Sequence, residues 1–108
     1  RTMTNTERRR DHRVPLERRV KLMCPITGRC YGGQTRDFAA GGVCVELDGR
    51  GQLAPGTRVR IGIDWTGRQG LLRAESMPQA SIVRSAAFDG RSHLGLAFEQ
   101  RQELAASA

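Results

Sequence analysis

Thr57-Arg58-Val59-Arg60-Ile61-Gly62-Ile63-Asp64-Trp65 carries an apolar side chain at every second position from Val59 to Trp65, with charged or small residues between. Side chains on a β-strand point alternately to the two faces of its sheet, so the pattern reads as a strand with one face buried and one wet. Downstream, Thr66-Gly67 is a turn into a segment over Leu71 to Glu75, and Ala80 to Ala86 and His93 to Phe98 are two further strands joined by the Asp89-Gly90 turn. Upstream, Pro55-Gly56 and Asp48-Gly49-Arg50-Gly51 are turn-forming clusters. Before them Val43, Val45 and Leu47 alternate with Cys44, Glu46 and Asp48 in another strand. Val20, Leu22 and Cys24 make a first half-buried strand that Pro25 ends, and Thr27-Gly28 fits a hairpin turn. The return strand is expected over 29–36, with a bulge or bend at Gly32-Gly33, and Asp37 to Gly42 is too rich in small residues to read as strand. Short strands separated by frequent turn signals define an all-β, antiparallel barrel or sandwich.

A chain of 108 residues with 38% apolar content supports one modest core, hence one domain. Residues 1–8 have no hydrophobic periodicity and are expected as a mobile basic segment, 9–98 as the β domain, and 99–108 as a short helical tail made of good helix formers. Pro15 biases Val14 toward extended backbone at the entry to the fold. The net charge of +7 is concentrated at the start of the chain, where residues 1–21 hold eight basic and three acidic side chains. Most of these cations are arginines, whose planar guanidinium binds two phosphate oxygens at once and stacks on a flat base.

Cys24, Cys30 and Cys44 are odd in number and lack C-x-x-C pairing, which argues against a disulfide framework or zinc knuckle and for reduced thiols in a cytoplasmic domain. Cys44 alternates with Val43 and Val45 and should face away from the core, whereas Cys24 shares the parity of Val20 and Leu22. No apolar run reaches the roughly 18 residues of a membrane-spanning helix, and no signal peptide opens the chain. The chain begins at Arg1, as expected of a processed protein or a segment of a longer one. Two histidines far apart give no metal cluster, and no nucleophile with a supporting base appears, so the reading is a non-enzymatic one.

Two stretches carry the functional signal: Glu7-Arg8-Arg9-Arg10-Asp11-His12-Arg13-Val14-Pro15 and Asp37-Phe38-Ala39-Ala40-Gly41-Gly42-Val43. Together they resemble the ligand loops of the PilZ domain, R-x-x-x-R followed by D/N-x-S-x-x-G, and Leu94-Gly95-Leu96-Ala97-Phe98-Glu99 resembles that family's closing strand. One position departs, since Ala39 stands where the family has serine. The resemblance implies a small antiparallel PilZ-like barrel of six to seven strands and a sensor for the bacterial second messenger cyclic di-GMP.

It also implies the ligand set. Arg9 and Arg13 are the motif arginines, with Arg8 and Arg10 as auxiliary cations; Asp37 would accept from guanine N1–H and N2–H2, and Gly41 and Gly42 would permit unusual backbone angles or a close approach of ligand to main chain. Ala39 lacks the family's hydroxyl, and the loss of one neutral hydrogen bond costs about 0.5–1.5 kcal/mol. An arginine just before R-x-x-x-R, here Arg8, is associated in the family with two stacked ligands, so two cyclic di-GMP molecules per chain are expected. The remainder of a larger effector chain is the other expected partner, with no polymeric nucleic acid and no membrane contact by this segment. Arg10 to Pro15 and Asp37-Phe38 further resemble the cytosolic regulatory domain of bacterial cellulose synthase catalytic subunits, inner-membrane proteins. Two alternatives stand beside this reading: a degenerate PilZ module that binds protein, and a basic barrel that binds nucleic acid. Scarce aromatics near the motifs weigh against the second.

Overall fold

The computed structural model describes residues 12–49, 53–65 and 77–102. Seven strands follow one another: β1 (Val14–Pro15), β2 (Arg19–Met23), β3 (Cys30–Ala39), β4 (Gly42–Leu47), β5 (Arg58–Ile63), β6 (Gln79–Phe88) and β7 (Arg91–Phe98). They pair antiparallel in the order β1-β3-β2-β5-β6-β7-β4, and a further β3–β4 pairing closes β2 to β7 into a six-stranded barrel with β1 as an added strand. Closure leaves β2 to β7 without a free sheet edge.

Period-two alternation becomes inside and outside. Val20, Leu22, Val43, Val45, Leu47, Val59, Ile61, Ala80, Ile82, Leu94 and Leu96 fill the barrel, each 4% exposed or less. Fully burying one such branched side chain contributes about 1.5–3 kcal/mol, and this core supplies the main stabilisation of a domain with few aromatics. Phe38 sits at one end of it, edge-on to Trp65 with ring centroids 5.3 Å apart and tilted against Phe98 at 5.7 Å. Trp65, which closes the diagnostic alternation, is half-buried there at the rim of the core.

Thr35 is the one fully buried polar residue of β3 among the described residues, and its position explains why β1 and β2 are separate strands. Its hydroxyl donates to the carbonyl of Leu16 at 2.6 Å and accepts from the backbone N–H of Arg18 at 2.9 Å. These bonds satisfy backbone groups where the ladder along β3 is interrupted, and so hold Val14–Pro15 against Phe38 and Asp37.

Two β-bulges interrupt the alternation. In β3 the pairing with β4 jumps from Thr35↔Val45 to Asp37↔Cys44, and in β6 the pairing with β7 jumps from Ile82↔Leu96 to Arg84↔Gly95. Each inserts one residue, Arg36 or Val83, and turns the following side chain to the opposite face. Without the bulges Asp37 would share the inward parity of Thr35, and Arg84 that of Ile82.

Two expectations change. β3 does not stop at Arg36 but runs to Ala39, and β4 begins at Gly42, so the stretch read as a loop is two strand ends around the two-residue turn Ala40-Gly41. The small residues serve packing: a Cβ on Gly42 would fall 2.4 Å from the carbonyl oxygen of Leu96 on the paired strand β7. The bulge lies at Arg36 and not at Gly32-Gly33, which stay in register with Lys21 and Val20. The turn at Thr66-Gly67 and the segment 71–75 lie outside the described residues. So does most of the tail expected to be helical; its described part, 99–102, is bend and coil. The Asp89-Gly90 turn is as read, with φ of 56° and 76° at its two residues.

Candidate ligand-binding site

The bulge at Arg36 puts Asp37 on the outer face at the edge of the barrel, and β1 leads Arg13 to the same place. Arg13 Nε donates to Asp37 Oδ1 at 2.9 Å, and Arg13 NH2 donates to the same oxygen. Both side chains remain accessible, at 50% and 36%. Residues 24 apart in sequence thus meet in a surface ion pair whose second carboxylate oxygen accepts no bond among the described residues. Partial burial works against the charge on Arg13, but the Asp37 carboxylate outweighs it and holds the guanidinium above its ordinary pKa. A fixed cation beside a carboxylate with an open oxygen offers donors to a phosphate and an acceptor to a guanine edge.

The remaining sequence-derived residues divide. Arg8, Arg9 and Arg10 lie outside the described residues. Gly41 and Gly42 are at the β3–β4 turn, neither with positive φ, and what lies close against Gly42 is the backbone of β7 at Leu96. Ala39 pairs with Gly42 and is only 2% exposed. The turn is tied down by Phe98 N donating to Gly41 O at 2.9 Å and Gln102 N donating to Ala40 O at 2.7 Å. Among the described residues no cluster of three or more potential metal ligands occurs.

Cys44, beside Asp37 on the next strand, faces outward as its parity predicted. Its sulfur accepts from Arg13 NH2 at 3.3 Å and from Arg84 NH2 at 3.4 Å. Sequence reasoning missed Arg84, although a signal was present: an arginine at the inward parity of Ala80 and Ile82 marks a bulge. Further along the same outer surface Glu46 joins Arg91 at 2.7 Å and Arg36 at 3.6 Å. The hydrogen bond from Arg91 holds the Glu46 carboxyl below its ordinary pKa against some desolvation. Just past the same end of β4, Arg19 does the same for Asp48, 2.5 Å away.

Residues 7–107 match the family described as the PilZ domain. The chain therefore belongs to the PilZ family, a family of cyclic di-GMP receptors, as the two motifs and the barrel indicated. Solved structures share its fold. The PilZ domain of CeSA from a cellulose-synthesizing bacterium superposes with a TM-score of 0.60 at 22% identity, covering 84% of this chain and 83% of that one. The PilZ domain of YcgR from Escherichia coli, solved with c-di-GMP, gives 0.65 at 18% identity over 85% and 78%. The inhibitor of motility MotI/DgrA of Bacillus subtilis gives 0.63 at 15% identity, and the match covers 83% of this chain but 42% of that protein. No curated protein matches the chain in sequence.

Proposed function

We propose that this chain is a sensor domain that binds cyclic di-GMP through Arg8, Arg9, Arg10, Arg13, Asp37, Ala39, Gly41 and Gly42, and that it regulates a larger cytoplasmic-facing effector of which it is a part. The observation that carries the proposal is the pairing of Arg13 with Asp37, which joins the two sequence motifs in one exposed site. The c-di-GMP present in the structure of the YcgR domain supports the ligand, and the likeness to a CeSA domain supports an output such as cellulose synthesis.

In this reading Arg13 contributes charge-assisted bonds to a phosphodiester while the open oxygen of Asp37 accepts from a guanine edge. Arg8, Arg9 and Arg10 add cations from the chain that leads into β1, and Arg8 caps a second, stacked ligand molecule. Ligand engagement of residues before β1 changes the surface that the barrel offers its effector, a population shift driven by differential affinity. No bond-making chemistry is part of this function. Calorimetric titration with cyclic di-GMP is the test, and saturable binding is the expected result. A folded chain that gives no binding leaves the protein-interaction reading, which Ala39 at the serine position favours.

A further inference from the structure

A straight row crosses the outer face of four neighbouring strands: Asp37 of β3 pairs with Cys44 of β4, Cys44 with Gly95 of β7, and Gly95 with Arg84 of β6. Only the two ends of the row carry charge, and each end is turned outward by its own bulge. Between them the row is low. Gly95 has no side chain, and a Cβ there would lie 3.2 Å from both Nε and NH2 of Arg84. The Arg84 guanidinium therefore lies across β7 and reaches the Cys44 sulfur on β4 at 3.4 Å, the same sulfur that Arg13 meets at 3.3 Å.

We infer that Arg84 is a further ligand-binding residue of this site, which grips a phosphodiester together with Arg13 above Cys44; the inference rests on the cyclic di-GMP reading. Both NH2 groups approach one sulfur, so they lie within twice that distance of each other. Two N–H···O bonds of about 2.9 Å to the two free oxygens of one phosphodiester span such a gap. The electrostatics agree. Arg13 is neutralised by Asp37, whereas Arg84 has no carboxylate partner among the described residues, its one polar contact being the weak acceptor Cys44 Sγ. An exposed arginine laid over a glycine floor beside an ion pair is oriented toward an anion without gaining an internal charge partner. A purely structural role would predict a carboxylate at its end.

The experiment compares the full chain with Arg84→Ala, Arg84→Lys and Gly95→Ala, using calorimetry with cyclic di-GMP over a series of salt concentrations. Circular dichroism and melting serve as fold controls. Arg84→Ala should bind at least about ten-fold more weakly, with its log-log salt slope reduced by about one, because one phosphate contact is gone. Arg84→Lys should recover part of the slope but not the full affinity, since a point charge replaces a planar fork. Gly95→Ala, which must push the guanidinium aside, should weaken binding in the same direction without unfolding. Wild-type affinity and slope in Arg84→Ala, beside a loss in Arg13→Ala, would overturn this inference and leave the receptor reading intact. Failure of the unmodified, folded chain to bind would overturn both.

Discussion

At Asp37 a single carboxylate oxygen receives two N–H bonds from Arg13, with half of the arginine side chain still in water. Exposed pairs of this kind contribute only about 0–1 kcal/mol to folding, so the pair has little structural reason to exist. Arg13→Ala should therefore melt within a few degrees of the unmodified chain while binding cyclic di-GMP at least about ten-fold more weakly. Calorimetry and a thermal scan check the two halves of that statement. Ala39→Ser should strengthen binding a few-fold, up to about ten-fold, by restoring a hydroxyl donor. Unchanged affinity would mean that the closed surroundings of Ala39, 2% exposed, hold the hydroxyl away from the ligand. Glu46 and Asp48 titrate low in the folded chain because of Arg91 and Arg19. A carboxylate with a lowered folded pKa stabilises above its unfolded value and loses that contribution as pH falls through the folded one. Melting temperature should thus hold through neutral pH and decline below about pH 4, and Arg91→Ala should flatten the part of the decline that Glu46 contributes.

At the scale of elements, β1 is only Val14–Pro15, yet it delivers Arg13 to Asp37, and Thr35 pins the chain that follows it. Thr35→Val keeps the volume but leaves the Leu16 carbonyl and the Arg18 N–H without their partner, which should cost about 1–3 kcal/mol. Urea unfolding measures that loss, and weaker cyclic di-GMP binding should accompany it as β1 loosens. An unshifted midpoint would show that other groups take over both bonds. The strands themselves were legible, because a barrel with one wet face writes its pattern at period two, and β2, β4, β5 and β7 follow it closely. What local pattern could not convey was long-range. The bulge at Arg36 follows from how β3 pairs with β4, and Gly42 is small because the backbone of β7 lies against it, a neighbour more than fifty residues away in sequence. Small residues crowded at 37–42 therefore read as a loop when they are two strand ends. Half of the candidate site was legible for the opposite reason: Arg13 and Asp37 stand in motifs, whereas Arg84 acquires its place from the β6–β7 bulge and the pairing of β7 with β4.

For the molecule as a whole, barrel closure brings Arg13, Asp37 of β3, Cys44 of β4 and Arg84 of β6 to one face. The net charge of +7 is weighted toward the segment that leads into that face. A small dianion with two guanine planes fits this arrangement better than a polymer does, since the described surface offers few aromatics for successive bases to stack on. The central claim is that this face is a cyclic di-GMP receptor, and equilibrium titration tests it most directly. With the full chain at a concentration well above the dissociation constant, cyclic di-GMP should bind saturably at two molecules per chain, and Arg13→Ala should abolish or greatly weaken the signal. A chain that circular dichroism shows to be folded, and that gives no saturable binding of cyclic di-GMP, would contradict the account.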